Sequence, residues 1–242
     1  MKRILVHFEN FIYKVVLKNL LKTSKLGYGV VVSGAESGVN FEHMYNNRPE
    51  GSFIIGKYID RVLLNLPAVH ATRGRKDDIK RVLWNEIRYN KMMGRKTKVL
   101  DLASGGARYL RELAEEHRNG AIESVCIDKD LPCVQMGRTL SKEEGLRNIR
   151  FFCGDIFRLD RLRHFSKKMT WTPNVVVASG LFIYFNDQQV EKMIKEIYDV
   201  LPEEGVIIFS SYEKLNTKKL MRKTMSTTSG EEWTLYYRKP EH

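Results

Sequence analysis

The chain has 242 residues, 43% of them hydrophobic, with a formal net charge of +12. That is enough apolar material for one α/β domain plus an extension, and no apolar run approaches the ~20 residues a membrane-spanning helix needs. The charge is uneven: residues 1–98 hold 19 Lys and Arg against 8 Asp and Glu, and residues 99–242 hold 22 against 21. A basic field of this kind could attract an anionic membrane, an acidic substrate or a nucleic acid, or could be plain solvated surface. The cysteines Cys126, Cys133 and Cys153 show no metal-ligand spacing, and no metal is called for. Cys126 and Cys153 fall inside predicted strands, so buried free thiols and a reducing compartment are expected. Glu9, Asn10, Lys14 and Lys18 interrupt any signal-peptide core, which favours a cytoplasmic protein.

Residues 2–22 read as a basic amphipathic helix, with Ile4, Leu5, Phe8, Phe11, Ile12, Val15, Val16 and Leu20 at helical spacing. Such a helix could lie in a membrane interface, pack on the rest of the chain or form a homodimer contact. Residues 23–52 look loop-rich, with Val30–Val32 as a short strand and Phe41–Tyr45 as part of a lid. Helical patterns follow at Gly56–Leu66, stopped by Pro67, and at about Lys76–Met93, where Gly94 is a C-cap. From there strands and helices alternate. Strands are expected at Lys98–Leu102, Glu123–Ile127, Ile149–Cys153, Asn174–Ala178 and Gly205–Ser210. The helices between them are Tyr109–His117, Pro132–Glu144 and Gln188–Val200, and a last strand is expected at Trp233–Arg238. This alternation implies a doubly wound, mostly parallel sheet that binds ligand at the carboxyl ends of its strands. Two domains are expected: residues 1–95 as helical extension and active-site cover, and 96–242 as the ligand-binding sheet.

The first strand runs into Asp101-Leu102-Ala103-Ser104-Gly105-Gly106-Ala107-Arg108-Tyr109. The acid precedes the glycines, unlike the dinucleotide fingerprint. The second strand ends at Asp128-Lys129-Asp130, the third at Gly154-Asp155-Ile156-Phe157 and the fourth at Ser179-Gly180-Leu181-Phe182. In this order and spacing the four segments resemble class I S-adenosylmethionine (SAM)-dependent methyltransferases. The resemblance implies a Rossmann-like fold with SAM as cofactor. It places Asp101, Ala103, Ser104 and Gly105 on the methionine-side turn, Asp128 and Lys129 at the ribose, Gly154, Asp155 and Ile156 at the adenine, and Ser179 near the transfer site. Asp130 is the alternative to Asp128, or the N-cap of the next helix.

The segments Met44–Gly51, Gly56–Arg61 and Arg73–Lys76 narrow the resemblance to one bacterial methyltransferase family. Its members are best known as the C-terminal half of α/β-hydrolase–methyltransferase fusions. Two departures stand out: Ala107 replaces the third turn glycine, and Ser210–Lys214 replaces an aromatic, Pro- and His-containing stretch. The end of the chain is also short for a class I fold.

Methyl transfer needs alignment of donor and acceptor, and deprotonation of a hydroxyl or ammonium acceptor. The strand 4 end lacks the Asn-Pro-Pro-Tyr and Pro-Cys signatures of adenine or glutamine amino and cytosine C5 chemistry. The candidate catalytic residues are Tyr184, His43 and Tyr45. Tyr58, Arg73 and Glu213 are the substrate-binding candidates. Arg48 and Arg75 could grip a carboxylate or phosphate, and Arg108 could hold the SAM carboxylate. The function expected is methyl transfer to oxygen or nitrogen of a small-molecule or lipid-like acceptor. An RNA methyltransferase, or a non-catalytic membrane-surface or assembly protein, is the alternative.

Overall fold

The computed structural model describes residues 18–34, 37–156, 170–211 and 235–238. They divide into two compact units, with the boundary between Arg73 and Gly74. The amphipathic stretch 2–22 lies outside the described residues except for its end, where Lys18–Leu21 is helical (α1).

The N-terminal unit continues with α2 (Lys25–Ser33), α3 (Gly38–Asn46) and α4 (Phe53–Leu64). The stretch expected to be loop-rich is therefore mostly helical, and Val30–Val32 belong to α2 rather than to a strand. A cap and close packing override the local preference of the valines. Ser24 caps α2 by accepting the Gly27 N–H at 3.0 Å. Gly29 marks a helix contact rather than a turn, since a Cβ there would stand 2.0 Å from Oδ1 of Asn40 in α3. The small core holds Leu26, Met44, Leu64 and Val69. Pro67 does not merely end the preceding helix. It opens α5 (Pro67–Met92), in the first-turn position where its missing N–H costs nothing. Of the residues whose spacing predicts an inner face (Ile79, Val82, Leu83, Ile87 and Tyr89 or Asn90), Ile79, Leu83, Ile87 and Asn90 are buried, whereas Val82 and Tyr89 are exposed.

The C-terminal unit carries β1 (Thr97–Leu102), α6 (Arg108–Glu116), β2 (Ile122–Asp128), α7 (Leu131–Glu143) and β3 (Ile149–Cys153). Then follow β4 (Val175–Ala178), a 3-10 turn (Phe182–Tyr184), α8 (Asp187–Tyr198) and β5 (Val206–Phe209). The described residues form a five-stranded, all-parallel sheet of order β3-β2-β1-β4-β5. This is the doubly wound sheet expected, and its direction of winding reverses between β1 and β4. Strand residues alternate between two cores. Val99, Cys126, Val175 and Val177 face Leu83, Ile87, Leu110 and Leu113, and Leu100, Val125, Val176 and Ala178 face Met193 and Ile197.

Two expectations need correction. Cys153 is exposed because it ends β3, a strand at the sheet edge, whereas Cys126 is buried and burial pushes its thiol well up. No strand forms at Leu235–Arg238, while Trp233 and Thr234 lie outside the described residues.

Helix α7 approaches the sheet at Gly137, where a Cβ would meet Cε1 of Phe151 at 2.3 Å. Gly74 in α5 has open space around the same position. Helix propensity favours alanine by about 1 kcal/mol at both, but overpacking costs typically about 1–3 kcal/mol. Gly137→Ala is therefore expected to lower the denaturation midpoint and Gly74→Ala to raise it, as read by chemical unfolding.

Candidate cofactor site

The turn after β1 has a special backbone. Ala103, Gly105 and Ala107 take φ of 55°, 53° and 49°. Left-handed residues at alternate positions turn the intervening N–H groups to one side, a concavity suited to a negative or polar group. Two of the three are alanines, which adopt this conformation only against a steric penalty. Ala107, standing where a glycine was expected, is the buried N-cap of α6.

One residue fastens this turn to its neighbours. Asp128, at the end of β2, accepts the Gly105 N–H on Oδ2 at 2.7 Å and the Asp130 N–H on Oδ1 at 2.9 Å. Its backbone carbonyl accepts the Gly154 N–H at 2.9 Å, so the loop after β3 is tied in as well. The Ser104 N–H donates to the Ile127 carbonyl at 3.2 Å. Burial holds the Asp128 carboxyl above its ordinary range, against the two amide bonds. The fallback Asp130 is the N-cap of α7 but makes no side-chain cap bond.

Asp101 is fully buried one residue before the end of β1. The Tyr109 hydroxyl donates to its Oδ2 at 2.6 Å. Its Oδ1 is buried without a hydrogen-bond partner among the described residues. The turn amide thus goes to Asp128 and not to Asp101. Burial pushes the Asp101 carboxyl up to about 8, with Asp128 adding to the rise and Tyr109 opposing it.

Arg111 was not singled out from the sequence. It is 1% exposed, donates from Nε to the Gly106 carbonyl at 2.9 Å and pairs with Glu144 just past α7. Its signal was present: a charged residue inside the apolar stripe Leu110, Leu113, Ala114.

The other expected contacts take up the remaining loops. Lys129 is exposed after Asp128, Asp155 is exposed after Gly154, Ile156 is buried beside them, and Ser179 is half-buried after β4. At β4 the next residue, Gly180, has φ 67°, and its N–H donates to Ser210 Oγ at 2.7 Å. A Cβ on Gly180 would stand 2.6 Å from Nη1 of Arg75, so that guanidinium lies over the strand exit. Tyr184 is half-buried in the 3-10 turn and packs on the core. The turn is held from the far end of the chain. The Tyr236 N–H donates to the Ile183 carbonyl at 2.7 Å. Arg238 donates to the carbonyls of Phe182 at 2.8 Å and Phe185 at 2.6 Å, and to Asp187 at 2.9 Å.

His43, Tyr45, Tyr58 and Arg73 belong to the N-terminal unit. His43 is 5% exposed and bonds through Nε2 to Asp60 Oδ2 at 2.8 Å. Asp60 also accepts from the Ser24 hydroxyl at 2.6 Å and from the N–H groups of Leu26 and Glu50 at 2.8 and 2.9 Å. Burial alone would push this carboxyl up, but these four donors hold it well below the ordinary carboxylate range. His43 is thus built into a structural knot. Tyr45 is half-buried in α3, and Tyr58 is exposed on α4. Arg73 donates to the Leu64 carbonyl at 3.1 Å and the Met44 carbonyl at 3.4 Å, closing two helix ends. Arg48 is exposed. Arg108 bonds Glu112 at 2.9 Å within α6. Glu213 lies outside the described residues.

The C-terminal set fits SAM. A carboxylate has about four lone-pair positions, so Asp128 keeps room for the hydroxyl pair of a ribose after serving two amides. Asp101 Oδ1 is an unsatisfied buried acceptor, and the nest of the β1 turn faces the same end of the sheet. Strand order, turn and carboxylates together define a Rossmann-like fold of the class I methyltransferase type.

Comparison with known proteins agrees. A family model described as "Putative methyltransferase" matches residues 3–241, and the chain belongs to that family. The uncharacterized protein YnbC of Escherichia coli K12 is 25% identical over 182 residues, covering 74% of this chain and 30% of that protein. The chain thus spans about a third of the length of that relative. Among solved structures, a "possible exported protein" from Bordetella parapertussis superposes with a TM-score of 0.62 at 20% identity, covering 83% of this chain and 62% of that one. PKMT2 from Rickettsia typhi in complex with AdoHcy aligns with a TM-score of 0.42 at 18% identity, over 53% of this chain and 23% of that one.

Asp128→Ala removes an acceptor that serves both ligand and turn. Hydrogen bonds to charged groups contribute about 1.5–3 kcal/mol, so S-adenosylhomocysteine affinity by calorimetry should fall about 10- to 100-fold. Asp101 gives a pH effect. The unfolded chain titrates this carboxyl near ~3.9, while the native state holds the proton up to about 8. Native protein binds more protons across that window, so stability falls as pH rises through it. Asp101→Asn keeps an acceptor for Tyr109 but cannot ionise, and should flatten stability against pH in chemical unfolding.

Proposed function

We propose that the chain methylates oxygen or nitrogen of a small-molecule or lipid-like acceptor that carries an anionic group beside an apolar body. The observation that carries this reading is the Arg75 guanidinium lying over Gly180 at the exit of β4. At the same strand ends the rings of Phe182 and Phe209 meet at 46° with centroids 5.3 Å apart; Phe182 is buried, and Phe209, at the end of β5, is 52% exposed. A cation next to exposed aromatic surface suits an amphiphilic acceptor.

When bound, SAM supplies a sulfonium-activated methyl carbon for in-line displacement. The chain supplies position. Asp128 and the β1 turn orient the ribose and methionine ends. Arg75 holds the anionic group of the acceptor, and the exposed ring of Phe209, backed by Phe182, holds its apolar part. Tyr184, in the turn fastened by Arg238, is the candidate to take or relay the acceptor proton. Such alignment is the main lever for a displacement reaction.

Incubating pure protein and labelled SAM with aqueous and lipid extracts should label a product. With that acceptor, Arg75→Gln should raise KM about tenfold or more, the worth of a charge-assisted bond, and leave S-adenosylhomocysteine affinity unchanged. An unchanged KM would remove Arg75 from acceptor binding, and absence of any labelled product in both extracts would remove the proposed acceptor class.

A further inference from the structure

We infer that α4 is a docking helix for the interface of an anionic lipid bilayer. The inference goes beyond methyl transfer and does not rest on it. Helix α4 buries a narrow stripe, Gly56, Asp60 and Leu64, in the N-terminal unit. These lie one turn apart, so their backs face outward. The outward side carries Ile54, Ile55, Tyr58 and Val62, and Phe53 stands at its start. Phe53 is 90% exposed, Ile54 87% and Tyr58 66%. A soluble helix places polar residues there. Single exposed apolar residues are ordinary, but a continuous apolar stripe marks a surface that meets something.

Charge selects the occupant. At 100° per residue, Lys57 and Arg61 line one edge of the stripe, and both are exposed. The only acid in α4, Asp60, is buried. Helix α1, which packs against α4, adds the exposed Lys18, with Lys22 just beyond its end. A second copy of the chain related by a two-fold axis would set these cations against their own counterparts. An anionic bilayer accepts both the cations and the apolar stripe, which is the composition of a helix lying in the interface plane. Among the described residues no helix is long and apolar enough to cross a membrane, so the contact is with the surface.

The test uses the full chain and flotation with phosphatidylcholine vesicles, with and without phosphatidylglycerol. Two variants accompany it: Ile54→Ser with Ile55→Ser and Val62→Ser, and Lys57→Glu with Arg61→Glu. All these side chains are exposed, so both variants should keep the parent melting temperature. The parent should float with the anionic vesicles and lose binding at high salt. Each variant should partition about tenfold less or worse, given roughly 1 kcal/mol per interfacial cation. Parent-like flotation of both variants would overturn the inference and pass the role to residues 1–17. Equal binding to both vesicle types, or a parent dimer in sedimentation that the serine variant dissociates, would overturn it as well. Calorimetry with S-adenosylhomocysteine, run in parallel, reports on the cofactor site alone, so the two readings fail separately.

Discussion

The carboxyl-terminal end of the sheet depends on Asp128. Three loops leave three different strands there, and none has regular structure of its own to hold it. Asp128 takes an amide from the turn after β1, an amide from the start of α7 and, through its carbonyl, an amide from the loop after β3. A buried carboxylate is expensive unless its charge is met by donors. These bonds meet it while leaving lone pairs facing outward. The same atoms therefore tie the loops together and keep acceptor capacity for a ligand. Arg111 works from the other side of the turn, holding the Gly106 carbonyl against the end of α7.

The N-terminal unit is built on a second buried carboxylate with a different outcome. Asp60 receives four donors from α2, α3 and the loop before α4. Its oxygens are used up, and its pull toward the ionised form is strong. Asp101 and Asp60 are both fully buried, yet they sit on opposite sides of the ordinary carboxylate range. The difference is the number of donors: one hydroxyl for Asp101 and four groups for Asp60. A carboxylate so fully satisfied is a fastening, and one left with an orphan oxygen is available for chemistry or binding.

The parallel sheet was legible because its strands are short apolar runs ended by acids and glycines. Asp101, Gly105, Asp128 and Gly154 read as a site because each closes a strand, and strand ends in such a sheet converge. The N-terminal unit was misread for a physical reason. Gly27, Gly29, Ser24 and the three valines favour loops and strands locally, and only the buried Asp60 and the contact at Asn40 make a helix of them. Side chains that act across long separations were also hidden. Arg75 reaches Gly180 over about a hundred residues, and no local pattern reports it. Arg111 and Asp60 left a trace, a charge on an otherwise apolar face, which marks a buried ionic contact more reliably than it marks a ligand.

The clamp at Leu235–Arg238 sets an order of events during synthesis. The groups that Asp128 ties together, Gly105, Asp130 and Gly154, are all made before Ile156, and these loops can close while translation continues. The turn after β4 is different, because Phe182 waits for Arg238, 56 residues later. At about 5–20 residues per second, that delay is roughly 3–11 s on the ribosome. A nascent chain can therefore close the loops held by Asp128 before the turn after β4 is locked.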